Sequence, residues 1–147
     1  MFTEDSVAID ASPRFVWDVF TDVERWPEWT ASVTSLTGLD GPDLAVGNRF
    51  AIKQPGMARL VWAVTEIEPG ASWTWVHRSP GVRVSARHHV IADGGGTLVR
   101  QQLDQRGPLG ALVGRLTATK TRRFLALEGS GLKRCAERRS RADGANS

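Results

Sequence analysis

Three features of this 147-residue chain predict an α+β domain. Residues 12–29 read as two short helices meeting at a bend, turn-forming residues then recur at regular intervals as far as Gly96, and from Pro108 onward the apolar residues fall at helical spacing. The expected order is therefore a helical pair near the N terminus, a meander of antiparallel strands and one long C-terminal helix.

Ser12 suits a helix N-cap because its hydroxyl can accept from a free N–H of the first turn, and Pro13 at the first helical position loses nothing by lacking an N–H. Val16, Val19 and Phe20 then share one face. Asp22 restarts the pattern: Val23, Trp26 and Trp29 line one side of a second short helix, whose length Pro27 limits.

Turn signals follow at Gly41-Pro42, Gln54-Pro55-Gly56, Glu68-Pro69-Gly70, Ser79-Pro80-Gly81 and Gly94-Gly95-Gly96, and they delimit consecutive antiparallel hairpins. Register is set by keeping apolar residues together, since a one-residue slip exchanges the core and solvent faces. Ile52 is paired with Ala58, Ile67 with Ser72, His77 with Val82 and Ala92 with Thr97. These pairings gather Phe50, Ile52, Leu60, Trp62, Val64, Trp73, Trp75, His77, Val84, Ala86, His88, Val90, Val99, Gln101 and Leu103 on one face. His88 falls opposite Gln101, and Glu66 sits opposite Trp73 near the edge of that face. The other face of the last strands carries Arg83, Arg87, His89, Arg100, Asp104 and Arg106, which suits solvent.

After Gly107-Pro108, residues Leu109, Leu112, Val113, Leu116, Phe124, Leu127 and Leu132 fit one long helix. Gly110, Gly114, Gly129 and Gly131 weaken it by roughly 1 kcal/mol each relative to Ala, so tertiary packing must hold it. From about Ser140 the chain turns small and polar. A domain of residues 1–139 with a flexible basic and polar tail of residues 140–147 is expected.

The run Ser-Pro-x-x-Val-Trp-x-x-Phe-x-Asp-x-x-x-Trp-Pro-x-Trp at residues 12–29 closely resembles a signature of the START/polyketide cyclase-like superfamily, which also includes the Bet v 1-like plant allergens. The likeness continues through Trp62-Ala63-Val64-Thr65-Glu66-Ile67-Glu68-Pro69, Ala86-Arg87-His88, Gly95-Gly96-Thr97-Leu98-Val99 and Gly107-Pro108-Leu109, so it covers nearly the whole chain. It implies a helix-grip fold: a seven-stranded antiparallel sheet curved around the long C-terminal helix, with two short helices between strands 1 and 2. It also implies a pocket between sheet and helix that takes a small hydrophobic molecule. Members share the pocket and differ in what they place in it, so no catalytic set carries over.

If the apolar face is the concave one, the candidate ligand-binding residues are Trp26, Trp29, Phe50, Ile52, Met57, Leu60, Trp62, Trp73, Trp75, His77, Ala86, His88, Val99, Gln101, Leu109, Leu112 and Leu116. Trp26, Trp29, Met57, Pro80 and Leu109 would form the rim. The inward tryptophans would serve equally as ordinary core, and His88 facing Gln101 as a satisfied buried pair. A catalytic role has only His77 and His88 as candidates, each able to shuttle a proton beside an enolisable ketone. Tyr is absent, and Glu66 is the one carboxylate near the inferred pocket face, where a rim role suits it better than that of a base. Three readings follow: binding of a small hydrophobic molecule such as a lipid or polyketide, an aromatase/cyclase-type enzyme acting on a polyketide-like ketone, or a non-catalytic stress or partner-binding module with a filled cavity.

Composition narrows the alternatives. Hydrophobic content of 41% is ordinary for a globular domain, and no apolar run approaches membrane-spanning length. The start Met1-Phe2-Thr3-Glu4-Asp5 lacks the basic and apolar regions of a signal peptide, so a cytoplasmic location is expected. The single Cys135 reads as a reduced, partly buried thiol. Three His without carboxylates at ligand spacing argue against a metal site, and no cofactor is expected. Gly94-Gly95-Gly96 joins two strands and opens no helix, so it is a hairpin turn and not a phosphate loop. Lys133, Arg134, Arg138, Arg139 and Arg141 are read as a solvated helix face; a net charge of +3 without interleaved aromatics weighs against nucleic acid. The expected assembly is a monomer or homodimer with no integral membrane segment.

Overall fold

In the computed structural model, which describes residues 1–145, the chain runs β1 (Phe2–Ile9), α1 (Pro13–Thr21), a 3-10 helix (Val23–Glu28), β2 (Ser35–Gly38), β3 (Arg49–Lys53), β4 (Leu60–Glu68), β5 (Ser72–Ser79), β6 (Val82–Asp93), β7 (Gly96–Arg106) and α2 (Gly110–Ala145). The strands form one antiparallel sheet in the order β1-β7-β6-β5-β4-β3-β2. Sequential hairpins build β2 to β7, and β1 returns to pair with β7. With α2 packed against β1, β6 and β7, this is the helix-grip fold.

Local chemistry sets the first helices. Ser12 Oγ accepts from the Phe15 N–H at 3.3 Å, and Val16, Val19 and Phe20 are buried beneath α1. Pro27 lacks an N–H and its ring crowds the preceding turn, so the second segment stays a six-residue 3-10 helix. The Trp26 indole N–H donates to the Phe20 carbonyl at 2.8 Å, which clamps the bend between the two. At three strand connections the Pro-Gly pairs place Gly56, Gly70 and Gly81 at φ between 72° and 76°, as the third position of a type II turn requires.

The β6–β7 register follows the expected pairing of Ala92 with Thr97, and His88 lies opposite Gln101. Two other hairpins differ from expectation by two residues: Ile52 pairs with Leu60 in place of Ala58, and His77 with Val84 in place of Val82. Their connections are longer than the tightest turn that keeps the apolar pattern. A slip of two preserves alternation, so the inward set survives. The β4–β5 pair differs more deeply. A bulge between Val64 and Glu66 pairs Ile67 with Trp73 and Glu66 with Thr74. Glu66 is thereby turned to the convex face, where it meets the Arg87 guanidinium at 3.8 Å, and it is no pocket residue.

α2 continues through Ala145, so the segment expected as a tail extends the helix for most of its length; Asn146 and Ser147 lie outside the described residues. Its glycines answer to packing. A Cβ at Gly131 would stand 2.1 Å from the Trp29 carbonyl oxygen, and one at Gly129 would stand 3.2 Å from the Asp5 carboxylate. These gaps let the C-terminal half of the helix rest directly on the 3-10 segment and on β1. Leu132, Cys135 and Ala136 are fully buried there. Among the described residues no helix is long and apolar enough to cross a membrane.

Candidate functional site

Between the concave face and α2 lies a cavity of about 370 Å³. It follows α2 from Leu109 to Glu128, about five helical turns. Its outer end is framed by the β3–β4 turn with Met57, the β5–β6 turn with Pro80, and the start of α2 with Leu109. Two contacts tie the helix to those turns: the Leu109 N–H donates to the Gly81 carbonyl at 2.9 Å, and Lys120 Nζ donates to the Gly56 carbonyl at 3.2 Å. The middle is walled by Ile52, Leu60, Trp62, Trp75, Val84 and Ala86 from the sheet and by Val113 and Phe124 from the helix. The tryptophans therefore leave the grip open, as the small-molecule reading expected and unlike the alternative in which side chains fill it.

The residues singled out from the sequence divide into three groups. Trp26, Ile52, Met57, Leu60, Trp62, Trp75, His77, Ala86, His88, Gln101 and Leu109 line the cavity, as does Pro80. Trp29, Phe50, Trp73 and Val99 are buried core outside its wall. Trp73 lies flat on His88 with ring centroids 3.7 Å apart, Trp29 packs beside Trp26, Phe50 packs behind Trp75, and Val99 is enclosed between Val7 and Val90 on the flanking strands. Leu112 and Leu116 are a correction: they are 55% and 76% exposed. With Val113, Thr117, Thr121, Phe124 and Glu128 turned inward, the 100° step of the helix carries those two leucines to its outer side.

The inner end of the cavity is polar. Asp5, Gln101 and His88 stand in register on β1, β7 and β6, on the concave face. Glu128 reaches in from α2, one turn beyond Leu125. His88 is 3% exposed, and its Nδ1 faces the Trp73 carbonyl at 3.3 Å, so Nδ1 carries the hydrogen and Nε2 presents a lone pair. Burial pushes its pKa down to about 3, more than the Trp73 carbonyl raises it. Gln101 is 2% exposed; its amide N donates to the Leu125 carbonyl at 3.4 Å, while its Oε1 is buried without a partner among the described residues. Glu128 accepts from the Ser32 hydroxyl at 3.2 Å, and Ser32 in turn shares a 2.8 Å contact with Thr30 Oγ1. Burial pushes the Glu128 carboxyl up to about 8, with the Asp5 charge adding to the rise and the Ser32 hydrogen bond opposing it. This acid therefore keeps its proton at neutral pH.

His77 also lines the cavity, yet both its ring nitrogens are engaged: Nδ1 with the Val61 carbonyl at 2.9 Å and Nε2 with the Ser79 hydroxyl at 2.5 Å. These two contacts fix its ring at the outer end. Glu128 is the residue that apolar patterning passed over. Its signal was present as position: counting in helical steps between Leu125 and Leu132 places residue 128 on the buried side. Among the described residues no group of three or more His, Cys, Asp or Glu side chains is placed to hold a metal ion.

Solved structures share this architecture. A START superfamily protein from Mycobacterium smegmatis superposes with a TM-score of 0.70 at 19% identity, over 93% of this chain and 97% of that one. Norcoclaurine synthase from Thalictrum flavum, in complex with dopamine and hydroxybenzaldehyde, gives 0.71 at 13% identity, over 92% and 85%. The di-domain ARO/CYC BexL from the BE-7585A biosynthetic pathway gives 0.69 at 18% identity, over 90% of this chain and 46% of that one. At these identities the likeness is one of fold. A comparison with curated proteins finds no significant match. The sequence itself matches the family described as polyketide cyclase / dehydrase and lipid transport over residues 3–138, from β1 into the last turns of α2. The chain belongs to that polyketide cyclase/dehydrase and lipid transport family.

Proposed function

We propose that this protein binds one small, mostly apolar molecule in the cavity between sheet and helix. The observation that carries this reading is the unfilled volume of about 370 Å³, apolar along its middle and ending at the Gln101–His88–Glu128 group. Such a cavity, apolar with a few convergent polar atoms, is the usual form of a small-molecule site. The family description and the aromatic molecules held by norcoclaurine synthase support it. Titration with the uncharged probe N-phenyl-1-naphthylamine tests it: saturable one-to-one binding with quenching of tryptophan emission is expected. Absence of saturable binding refutes it.

One observation favours a cyclase-type reaction as a second reading: Glu128 holds a proton that it can lend to a ketone oxygen. The matching base is weak. A lone pair that titrates near 3 on His88 has little pull on a carbon-bound proton, and His77 is engaged at both nitrogens. Binding is therefore the better supported activity. Protein-catalysed deuterium exchange at the α-carbons of 2-tetralone, lost in Glu128→Gln, would reverse that order.

A further inference from the structure

The inner end of the cavity has a definite donor and acceptor pattern. Gln101 Oε1 is a buried acceptor without a partner among the described residues, and His88, whose Nδ1 faces the Trp73 carbonyl, keeps its Nε2 lone pair on the other side of the ring. One donor complements them. Ser32 occupies Glu128 Oε1, which leaves the other carboxyl oxygen for the proton. All three side chains are more than nine-tenths buried and line the same cavity. They are brought together by the Gln101–His88 strand pair and by the Gln101 bond to Leu125, three residues before Glu128. Of the cationic residues that line the cavity, Lys120 is tied at the outer end to Gly56, and Arg87 carries its guanidinium away to Thr74 Oγ1 and Glu66 on the convex face.

Building on the reading of this cavity as a binding site, we propose that its inner end recognises a neutral hydroxyl group, a phenol or alcohol carried on an otherwise apolar ring system. The hydroxyl donates to His88 Nε2 or Gln101 Oε1 and accepts from Glu128. A water molecule has this same pattern of one oxygen that gives and receives, and buried water is the usual occupant of such a place when nothing else is bound. A ligand hydroxyl replaces that water bond for bond, whereas a hydrocarbon displaces it and leaves buried acceptors unpaired. A carboxylate is excluded by charge. It would face two acceptor lone pairs and the carboxyl of Glu128 with no cation to neutralise it.

Three ligands of one shape separate the possibilities: 2-naphthol, naphthalene and 2-naphthoate, titrated at neutral pH by tryptophan quenching and calorimetry. The expected order is 2-naphthol at least about tenfold tighter than naphthalene, and at least about tenfold tighter than 2-naphthoate. His88→Phe keeps the ring that stacks on Trp73 and removes the lone pair; Gln101→Met removes the amide oxygen. Each should cut 2-naphthol affinity at least about fivefold, while naphthalene, no longer stranding that acceptor, should bind at least as tightly as it does to the wild-type protein. Equal binding of 2-naphthol and naphthalene by the wild-type protein, or preference for 2-naphthoate, overturns this inference while leaving an apolar cavity. Failure of all three ligands to bind overturns the binding function itself. The wild-type comparison decides without the variants, so a variant that does not fold cannot rescue the proposal.

Discussion

Replacing Glu128 by Gln should make this protein more stable, and increasingly so as the pH rises. In the folded chain burial lifts the Glu128 carboxyl from 4.5 to about 8. Between those values the folded state holds a proton that the unfolded state has released, so the contribution of this one group to stability falls as pH rises from 4.5 and levels off above 8. At about 1.4 kcal/mol per pKa unit, the deficit is roughly 3 kcal/mol at pH 7 and roughly 5 kcal/mol at its limit. That is a large share of the ~5–15 kcal/mol by which a domain of this kind is stable. Gln matches the protonated acid in shape and can still accept from Ser32, so it should fold as well as Glu below pH 4.5 and escape the later loss. The assay is urea unfolding followed by the emission of the six tryptophans, at intervals between about pH 4 and pH 9. Curves for the two proteins that stay parallel within about 1 kcal/mol over that range would refute the reasoning, because they would show the carboxyl ionising as freely in the fold as in the open chain. A position kept at such a cost is where a functional demand is expected.

Three further outcomes can be checked with the same material. His88, lowered from 6.5 to about 3, makes stability rise with pH across that window; wild-type stability should therefore be flat between 4.5 and 6.5, where the two groups oppose, and His88→Gln should expose the falling limb of Glu128 alone. Ala86→Trp puts bulk at the middle of the concave face, where Ala86 lies between Trp75 and Leu103; loss of N-phenyl-1-naphthylamine binding with a retained cooperative melt is expected, and unchanged affinity would contradict the drawn cavity. Gly131→Ala gains roughly 1 kcal/mol of helix propensity but drives a methyl to 2.1 Å from the Trp29 carbonyl, so a net loss of about 2 kcal/mol or more is expected in urea unfolding, and stabilisation would refute the packing.

Much of this fold was legible because its signals are local. A serine cap, a proline in each short helix and three Pro-Gly turns act within a few residues, and the structure places every one where the sequence did. The sheet faces were legible for a different reason: alternation has a period of two, so the two-residue slips at Ile52 and His77 cost nothing in face assignment. The bulge at Thr65 is another matter. One extra residue inverts parity for the rest of a strand, and nothing in Trp-Ala-Val-Thr-Glu-Ile-Glu announces it. The site was the least legible part. Apolar patterning assumes that the inward side of a helix is greasy, which drew Leu112 and Leu116 inside. A cavity wall obeys a different rule. Its side chains border open volume on one side and can use polar atoms on the other, so Thr117, Thr121 and Glu128 stand where a solid core would have demanded leucine.

The bare hydrogen of Gly131 has a consequence far from where it sits. An α-helix is stiff along its axis, and Leu109, at the cavity's outer end, lies 22 residues upstream, about 33 Å at 1.5 Å per residue. Seated on the Trp29 carbonyl, the glycine is the fulcrum of a long lever whose other arm is held down by Lys120 and Leu109 at two turns of the sheet. Raising the fulcrum by the thickness of one methyl tilts the whole rod. A residue that does not line the cavity is thus expected to set how closely the helix approaches the turns at its outer end, and Gly131→Ala should alter that spacing without touching the walls.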